Sequence, residues 1–257
     1  MAALDTLIEQ IAQLIAQAHN VVAMTGAGIS TPSGIPDFRS PTSGLWDQFD
    51  PFTVASIVSF RQNPRHFYDW IRPLAPLFHQ AKPNPAHYAL AALEQADKLS
   101  AVITQNIDGL HQQAGSKTIY ELHGHLRQVT CIRCYEVVEA NGVLDKFLQD
   151  GEIPRHHCGG VFKPNIILFG EQLPMREYVA AQLAIKEADL MLVVGSSLEV
   201  APASDLPEFA VDNGAKLAII NYQPTFVDAV ADVVIHANVV EVLPRIVELA
   251  TATEKYG

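Results

Sequence analysis

The chain has 257 residues, 49% of them apolar, with a formal net charge of −11 and three cysteines. That length accommodates one large domain or a large domain with a small insertion, and the negative charge argues against nucleic acid or an anionic membrane as the main partner. No apolar run approaches the roughly 18 residues of a membrane span; no Lys or Arg precedes Arg39, as a secretory or transit leader requires; and an odd cysteine count favours thiols or metal ligands over disulfides, so a cytoplasmic setting is expected.

Leu4, Leu7, Ile8, Ile11, Leu14, Ile15 and Ala18 recur at helical spacing, which predicts an amphipathic helix over about 4–18. Val21 to Thr25 then reads as a short buried parallel strand, and it breaks into Gly26-Ala27-Gly28-Ile29-Ser30. Without side chains at the glycines, backbone N–H groups there can approach an anion, so the turn reads as a phosphate cradle. It is not the dehydrogenase fingerprint: Thr31 stands at the third glycine position, and Asp47 and Asp50 lie in turn-like sequence rather than at a strand end. Pro32 and Pro36 discourage a regular helix. The loop is therefore expected to stay outside regular structure and to present Asp37, Phe38 and Arg39 to the same ligand.

From Pro41 to Pro83, aromatic and apolar residues between prolines predict two or three short helices. Asn84-Pro85 is a helix start, and Leu99 to Thr104 is a strand whose carboxyl end delivers Gln105, Asn106, Ile107, Asp108, Gly109, Leu110 and His111. Open parallel α/β sheets bind ligands at that end of their strands. A short strand, Thr118 to Leu122, leads to His123-Gly124-His125. The pattern then changes: Cys131-Ile132-Arg133-Cys134, a helix over about 143–149, and Arg155-His156-His157-Cys158-Gly159-Gly160 read as a small metal-stapled module. The sheet pattern resumes at Pro164 to Glu171, followed by a helix over about 175–188, strands at 189–194, 216–220 and 233–236, and a last helix over about 239–251. Strands alternating with helices predict an α/β fold with a parallel sheet covered on both faces.

The motifs GAGIS, PDFR, TQNIDGLH, ELHG, CxxC, FGE and GSSLEV, in this order from about Val21 to Asn221, resemble the sirtuin family of NAD-dependent protein lysine deacylases. The resemblance implies a Rossmann-like large domain over 1–40, 83–125 and 164–257. It also implies a small domain made of a helical insertion at 41–82 and a zinc-binding module at 126–163, with NAD and an acyl-lysine peptide meeting between the two. Ala27 and Gly28 match residues that hold the NAD phosphates, and Asp37, Phe38 and Arg39 match the mobile cofactor loop. Gln105 matches a ribose contact, while Asn106, Ile107 and Asp108 match the nicotinamide pocket. Gly195, Ser196, Ser197 and Asn221 resemble adenosine-side contacts. Ile167 and Phe169 match the tunnel for the acyl-lysine, and His123 matches the catalytic base; His111 and His125 are expected to pack or to support other groups.

In the family mechanism nicotinamide leaves, the amide oxygen attacks the ribose, and the histidine accepts a proton from the ribose hydroxyls. The acyl group passes to ADP-ribose and lysine is freed. Neutral imidazole suits that step. The same cleft would serve two rivals, ADP-ribosyl transfer to protein and non-catalytic NAD or ADP-ribose sensing; intact Asn106, Asp108 and His123 argue against the sensor.

The chain departs from the family at two places. Members usually hold zinc with four cysteines, and this chain has Cys131, Cys134 and Cys158 alone. A C-x-C spacing puts the fourth ligand at His156, with His157 as the alternative, whereas C-x-x-C puts it at Arg155, which cannot ligate. Members preferring acidic acyl groups carry a Tyr-x-x-Arg pair; the matching positions here are read as Ile71 and Leu74, so acetyl or longer apolar acyl groups are expected.

Overall fold

The computed structural model describes residues 2–37 and 44–252. Helix α1 (Ala2–Gln17) leads into β1 (Val21–Thr25), and two 3₁₀ turns follow, Ala27–Ile29 and Thr31–Ser33. Five short helices fill the first insertion: α2 (Leu45–Gln48), α3 (Pro51–Val54), α4 (Ile57–Gln62), α5 (Pro64–Ile71) and α6 (Ala75–Gln80). They are more numerous than the proline spacing suggested, because three of the prolines sit at the first positions of helices, where no N–H is needed. Helix α7 (Pro85–Gln95) and β2 (Leu99–Thr104) come next, then α8 (Leu110–Ala114) and β3 (Ile119–Glu121). The module contains β4 (Gly124–Cys131), β5 (Val137–Glu139), α9 (Val143–Asp150) and β6 (Phe162–Ile166). The chain ends through α10 (Met175–Glu187), β7 (Leu190–Val194), α11 (Leu206–Asp212), β8 (Lys216–Ile220), β9 (Val233–Ile235) and α12 (Val239–Ala252).

Six strands form one parallel sheet in the order β3-β2-β1-β7-β8-β9. Alternate residues of a strand face opposite sides, and here both sides are apolar. Val21 and Ala23 of β1, with Leu190, Leu192 and Val194 of β7, join a core with Ile8, Ile11 and Ile15 of α1, Leu90 and Leu93 of α7, and Leu243 and Ile246 of α12. Val22, Met24, Met191 and Val193 point the other way, onto Ala181 and Ile185 of α10 and Leu206 and Ala210 of α11. Helices on both faces explain why these strands read as unbroken apolar runs.

The sequence pattern placed Pro164–Glu171 back in the parallel sheet. Instead β6 pairs antiparallel with β4, which also pairs antiparallel with β5, in a separate three-stranded sheet. A short apolar run carries no information about its partner, so this assignment depends on tertiary pairing. The helical insertion and the module share a third core. In it Phe60, Phe67, Tyr68, Trp70 and Ile71 pack with Phe147, Val161, Ile166 and Leu168. The Phe147 ring meets Tyr68 edge-on at 4.8 Å, and the Tyr68 hydroxyl donates to the Phe162 carbonyl at 2.6 Å, satisfying the polar end of a fully buried ring.

Candidate active site

β1 is flanked by β2 on one side and β7 on the other, and the chain continues outward in both directions from this point. The loops after β1 and β7 therefore diverge from a crevice at the carboxyl edge of the sheet, where open α/β sheets take ligands. The two loops touch backbone to backbone. Gly26 N–H donates to Val194 O at 3.3 Å and Gly28 N–H to Gly195 O at 2.8 Å. A Cβ on Gly26 would lie 2.8 Å from Ser196 Cβ, and one on Gly195, whose φ is +61°, would lie 2.3 Å from Ile29 N. Glycine is required at both positions by this contact. The loop expected to be irregular is instead wound into its two 3₁₀ turns. Pro32 fits at the start of the second turn, where its missing N–H costs nothing. Ala27 and Gly28 are half-buried in the first turn. Asp37 closes the described part of the loop, its carbonyl accepting Leu45 N–H at 3.1 Å; Phe38 and Arg39 lie outside the described residues.

From the end of β2, Gln105 N–H donates to Thr25 O at 3.0 Å, and its side-chain amide reaches Ser196 Oγ at 2.9 Å, bridging the crevice. Asn106 donates from Nδ2 to Gly26 O at 3.0 Å and to Ser30 Oγ at 3.1 Å. Ser30 in turn donates to Asp108 Oδ2 at 2.7 Å, and Leu110 N–H caps Oδ1 at 2.9 Å. Burial pushes the Asp108 carboxyl above its ordinary value, against those two hydrogen bonds. Ile107, between them, packs on the third core with Leu168 and Ile71.

His123 follows β3, and its Nδ1 lies 3.0 Å from the Gln105 carbonyl. A carbonyl only accepts, so the proton of the neutral ring sits on Nδ1 and the lone pair on Nε2. The His123 carbonyl accepts Ile167 N–H at 2.8 Å, which sets Ile167 beside it. Phe169 is held by two backbone bonds to the first insertion, donating to Ala55 O at 2.8 Å and accepting from Ile57 N–H at 3.0 Å, and its ring lies 5.3 Å from Phe52. Across the crevice Ser196 is buried and Ser197 half-buried. Asn221, buried at the end of β8, takes Ile235 O at 3.1 Å with its backbone N–H and Gln223 O at 2.7 Å with its side chain.

Beneath these residues lies a layer in which His111 packs as expected, together with Thr25, Thr104 and His87, to which sequence reasoning gave no role. Thr25 donates to Thr104 Oγ1 at 2.8 Å and stands 2.9 Å from His111 Nε2, while Ser30 stands 3.4 Å from His87 Nε2. Burial lowers His87 to about 4; burial, with His87 beside it, lowers His111 to about 3. Both rings are thus neutral packing groups. Glu121 anchors the turn before His123 by accepting from Gln112 Nε2 at 2.8 Å and from both terminal nitrogens of Arg127. Among these, Ser30, Thr104, His111 and Glu121 were inside quoted motifs; His87 carried no signal beyond its place three residues after a helix cap.

A second cluster lies in the module. Cys131, Cys134, His156 and Cys158 place their ligand atoms within 4.8 Å of one another, with Cys131 Sγ 3.5 Å from Cys158 Sγ and Cys134 Sγ 3.2 Å from His156 Nδ1. Two tight turns face each other here: Tyr135 N–H donates to Cys131 O, and Gly159 N–H to His156 O. A Cβ on Gly160 would fall 2.4 Å from the Cys131 sulfur, so glycine keeps the cradle open. Burial works against a Cys131 thiolate, but the backbone N–H groups of Cys134 and Arg133 outweigh it and bring the thiol down to about 7. Three sulfurs and one imidazole in this arrangement fit zinc. His157 is not in the four-residue cluster.

A sequence profile of the Sir2 family matches residues 26–202. The chain is 46% identical over 243 residues to the NAD-dependent protein deacylase 2 of Archaeoglobus fulgidus, covering 94% of this chain and 95% of that protein. It is 43% identical over 240 residues to an NAD-dependent protein deacetylase of Sulfurisphaera tokodaii, covering 93% and 94%. Among solved structures, one described as the basis for the mechanism and regulation of Sir2 enzymes superposes with a TM-score of 0.92 at 45% identity, covering 97% of this chain and 99% of that one. Sir2Af2 bound to a myristoylated histone peptide gives 0.84 at 39% identity, covering 98% and 100%. The chain belongs to the Sir2 family.

Proposed function

We infer that the chain is an NAD-dependent protein lysine deacylase, moving the acyl group of an acyl-lysine to ADP-ribose with release of nicotinamide, and that His123 is its base. The observation that carries the residue assignment is the 3.0 Å contact of His123 Nδ1 with the Gln105 carbonyl: a carbonyl only accepts, so in the neutral ring Nε2 is the basic nitrogen. A positioned base of this kind is worth about 10²–10⁴ in rate. Ala27 and Gly28, in the first 3₁₀ turn, would line the phosphates of NAD, and Asp37, Phe38 and Arg39 would serve as its cofactor-loop residues. Gln105 would meet the ribose, and Asn106, Ile107 and Asp108 the nicotinamide. Asp108, kept as an acceptor by the Ser30 hydroxyl and Leu110 N–H, suits a carboxamide N–H donor. Gly195, Ser196, Ser197 and Asn221 would line the adenosine side.

Ile167 and Phe169, both half-buried, would enclose the acyl-lysine and help keep water from the reacting carbon, with the Phe169 ring 5.3 Å from that of Phe52. Ile71 and Leu74 both pack into the third core and bring no cation, which favours acetyl or longer apolar acyl groups over acidic ones. Solved relatives bound to p53, propionylated and myristoylated peptides agree with an acyl-lysine peptide as substrate. Cys131, Cys134, His156 and Cys158 would hold zinc, which supplies a structural cross-link and no chemical step. The functional halves would divide as 1–40, 83–125 and 164–257 for NAD, and 41–82 with 126–163 for the small domain. Thiols gathered as ligands, together with NAD as co-substrate, favour the cytoplasm.

The test is mass spectrometry of an acetyl-lysine peptide incubated with the protein, with and without NAD. Loss of acetyl that requires NAD and yields nicotinamide and O-acetyl-ADP-ribose is expected. NAD cleavage with ADP-ribose carried on protein and the acetyl group intact would replace this reading by ADP-ribosyl transfer.

A further inference from the structure

The fourth ligand of the cysteine cluster is a histidine, and an imidazole raises a problem that a cysteine does not. It has two nitrogens, and in the neutral ring the proton must be kept off the one that faces the metal. Here His156 directs Nδ1 at the sulfurs, 3.2 Å from Cys134 Sγ, and directs Nε2 outward to Glu136 Oε2 at 3.2 Å. The ring is held in this orientation. Its side chain is 7% exposed and meets Phe162 edge-on at 5.4 Å, while the exposed His157 ring lies tilted alongside with centroids 3.8 Å apart. Glu136 is only two residues beyond Cys134, and its own carbonyl accepts Cys131 N–H at 2.9 Å, so the first turn of the cluster also aims the carboxylate.

We propose that Glu136 is a positioning residue of the zinc site, accepting the Nε2 proton of His156 and so presenting the Nδ1 lone pair to the metal. A carboxylate behind a metal-bound histidine orients the ring and makes it a stronger donor. It also answers a charge difference. Three thiolates and a neutral imidazole bring one negative charge fewer to zinc than four thiolates do, and Glu136 restores that charge one shell out. The second carboxylate-and-imidazole grouping of this region, Glu136 with His156 and His157, is then a part of the same centre and not another metal site. The proposal rests on the zinc assignment made above, and its experiment separates the two.

The experiment uses the purified holoprotein and follows zinc release to a chromogenic chelator, alongside absorption spectra of the cobalt-substituted protein. Glu136→Ala should release zinc about 10- to 100-fold faster than the wild type, Glu136→Gln should recover part of the loss because its amide oxygen still accepts, and His157→Ala should release at the wild-type rate. The cobalt spectrum should report three sulfurs and one nitrogen in the wild type and in Glu136→Ala alike, and move to a four-sulfur spectrum in His156→Cys. Glu136 is half-exposed, so its variants are expected to fold. A wild-type release rate in Glu136→Ala would overturn the role of Glu136 while leaving the metal in place. A wild-type protein that contains no zinc and takes none up would overturn the zinc assignment, and Glu136 with it.

Discussion

The carboxyl edge of the large sheet and the cysteine cluster are both places where two turns meet, yet they are held by opposite means. At the sheet edge the loops after β1 and β7 interlock through main-chain atoms, with Gly26, Gly28 and Gly195 admitting contacts that any side chain would block. The site is rigid because dense apolar cores stand beneath it on both faces. In the module the sheet has three strands and the small core beneath the cluster contains Val129, Cys131, Ala140 and Phe162. The larger core that the module shares with the helical insertion also draws on Phe147, Val161 and Ile166, so at the cluster itself a metal cross-link would set the two turns face to face. Where a broad core lies directly beneath, the crevice can stay bare for a ligand; where the core beneath is small, side chains of the cluster would serve stability instead.

The contrast can be broken from the module side first. Structural zinc binding is worth on the order of 10 kcal/mol in small modules, so chelation should abolish amide protection over β4, β5 and β6 while β1, β2, β7 and β8 stay protected. Hydrogen exchange reads this directly, and equal loss in both sheets would mean that the two regions are one cooperative unit. On the other side, His123→Ala should lower deacylation by about 10²–10⁴ while leaving NAD affinity within a few-fold, as measured by calorimetry. Undiminished turnover would remove His123 from the role of base.

Gly195→Ala sharpens the backbone argument. Its Cβ would meet Ile29 N at 2.3 Å and its φ of +61° is unfavourable for alanine, so a loss of about 3 kcal/mol or more is expected together with loss of NAD binding. A stable variant that binds NAD would show that the loops have room to part.

The pH dependence tests the layer under the crevice. His87 and His111 are held neutral in the fold, at about 4 and about 3. Below the unfolded value of about 6.5 the unfolded chain therefore binds more protons than the native one. Their stabilising contribution is fully present above pH 6.5 and is lost as pH falls toward 4 and then 3, about 3 kcal/mol of it for His87 alone. Thermal unfolding should show this loss, and His111→Gln should make the decline shallower. The smallest effect is expected at the start of α7, where Asn84 caps Ala86 N–H at 3.0 Å and donates to Ile29 O at 2.7 Å and Ser33 Oγ at 2.9 Å. Asn84→Asp keeps the cap and loses the donors. If the helix alone matters it should be neutral, and if the loop is also held it should cost about 1 kcal/mol, seen as weaker NAD binding in calorimetry.

Much of this was legible in one dimension. The apolar runs of β1, β2, β7 and β8 and the Asn84-Pro85 start of α7 coincide with the structure within a residue or two, since burial on both faces and helix capping leave local traces. The strand β4 was not foreseen although β5, one of its partners, is close in the chain, and β6 was given to the wrong sheet because its partner β4 lies about 35 residues back and pairing at such distance leaves no local pattern. The support of Asp108 by Ser30 links positions 78 residues apart in the chain, and nothing near either residue announces it.

By itself, then, the order of residues determined most of the strands and helices, the glycine turn after β1, and the cysteines with a histidine beside them as a ligand set, while the family resemblance pointed to His123. All but the choice of His123 follow from short-range rules of periodicity, steric freedom and ligand type. Only the tertiary structure decided which nitrogen of His123 keeps its proton, which of His156 and His157 faces the three sulfurs, and how the two glycine loops lock. Each of those depends on an atom delivered from a distant segment, the Gln105 carbonyl, the Cys134 sulfur and the Gly195 carbonyl, and hydrogen bonds and metal ligation are decided by position in space, which only the folded chain supplies.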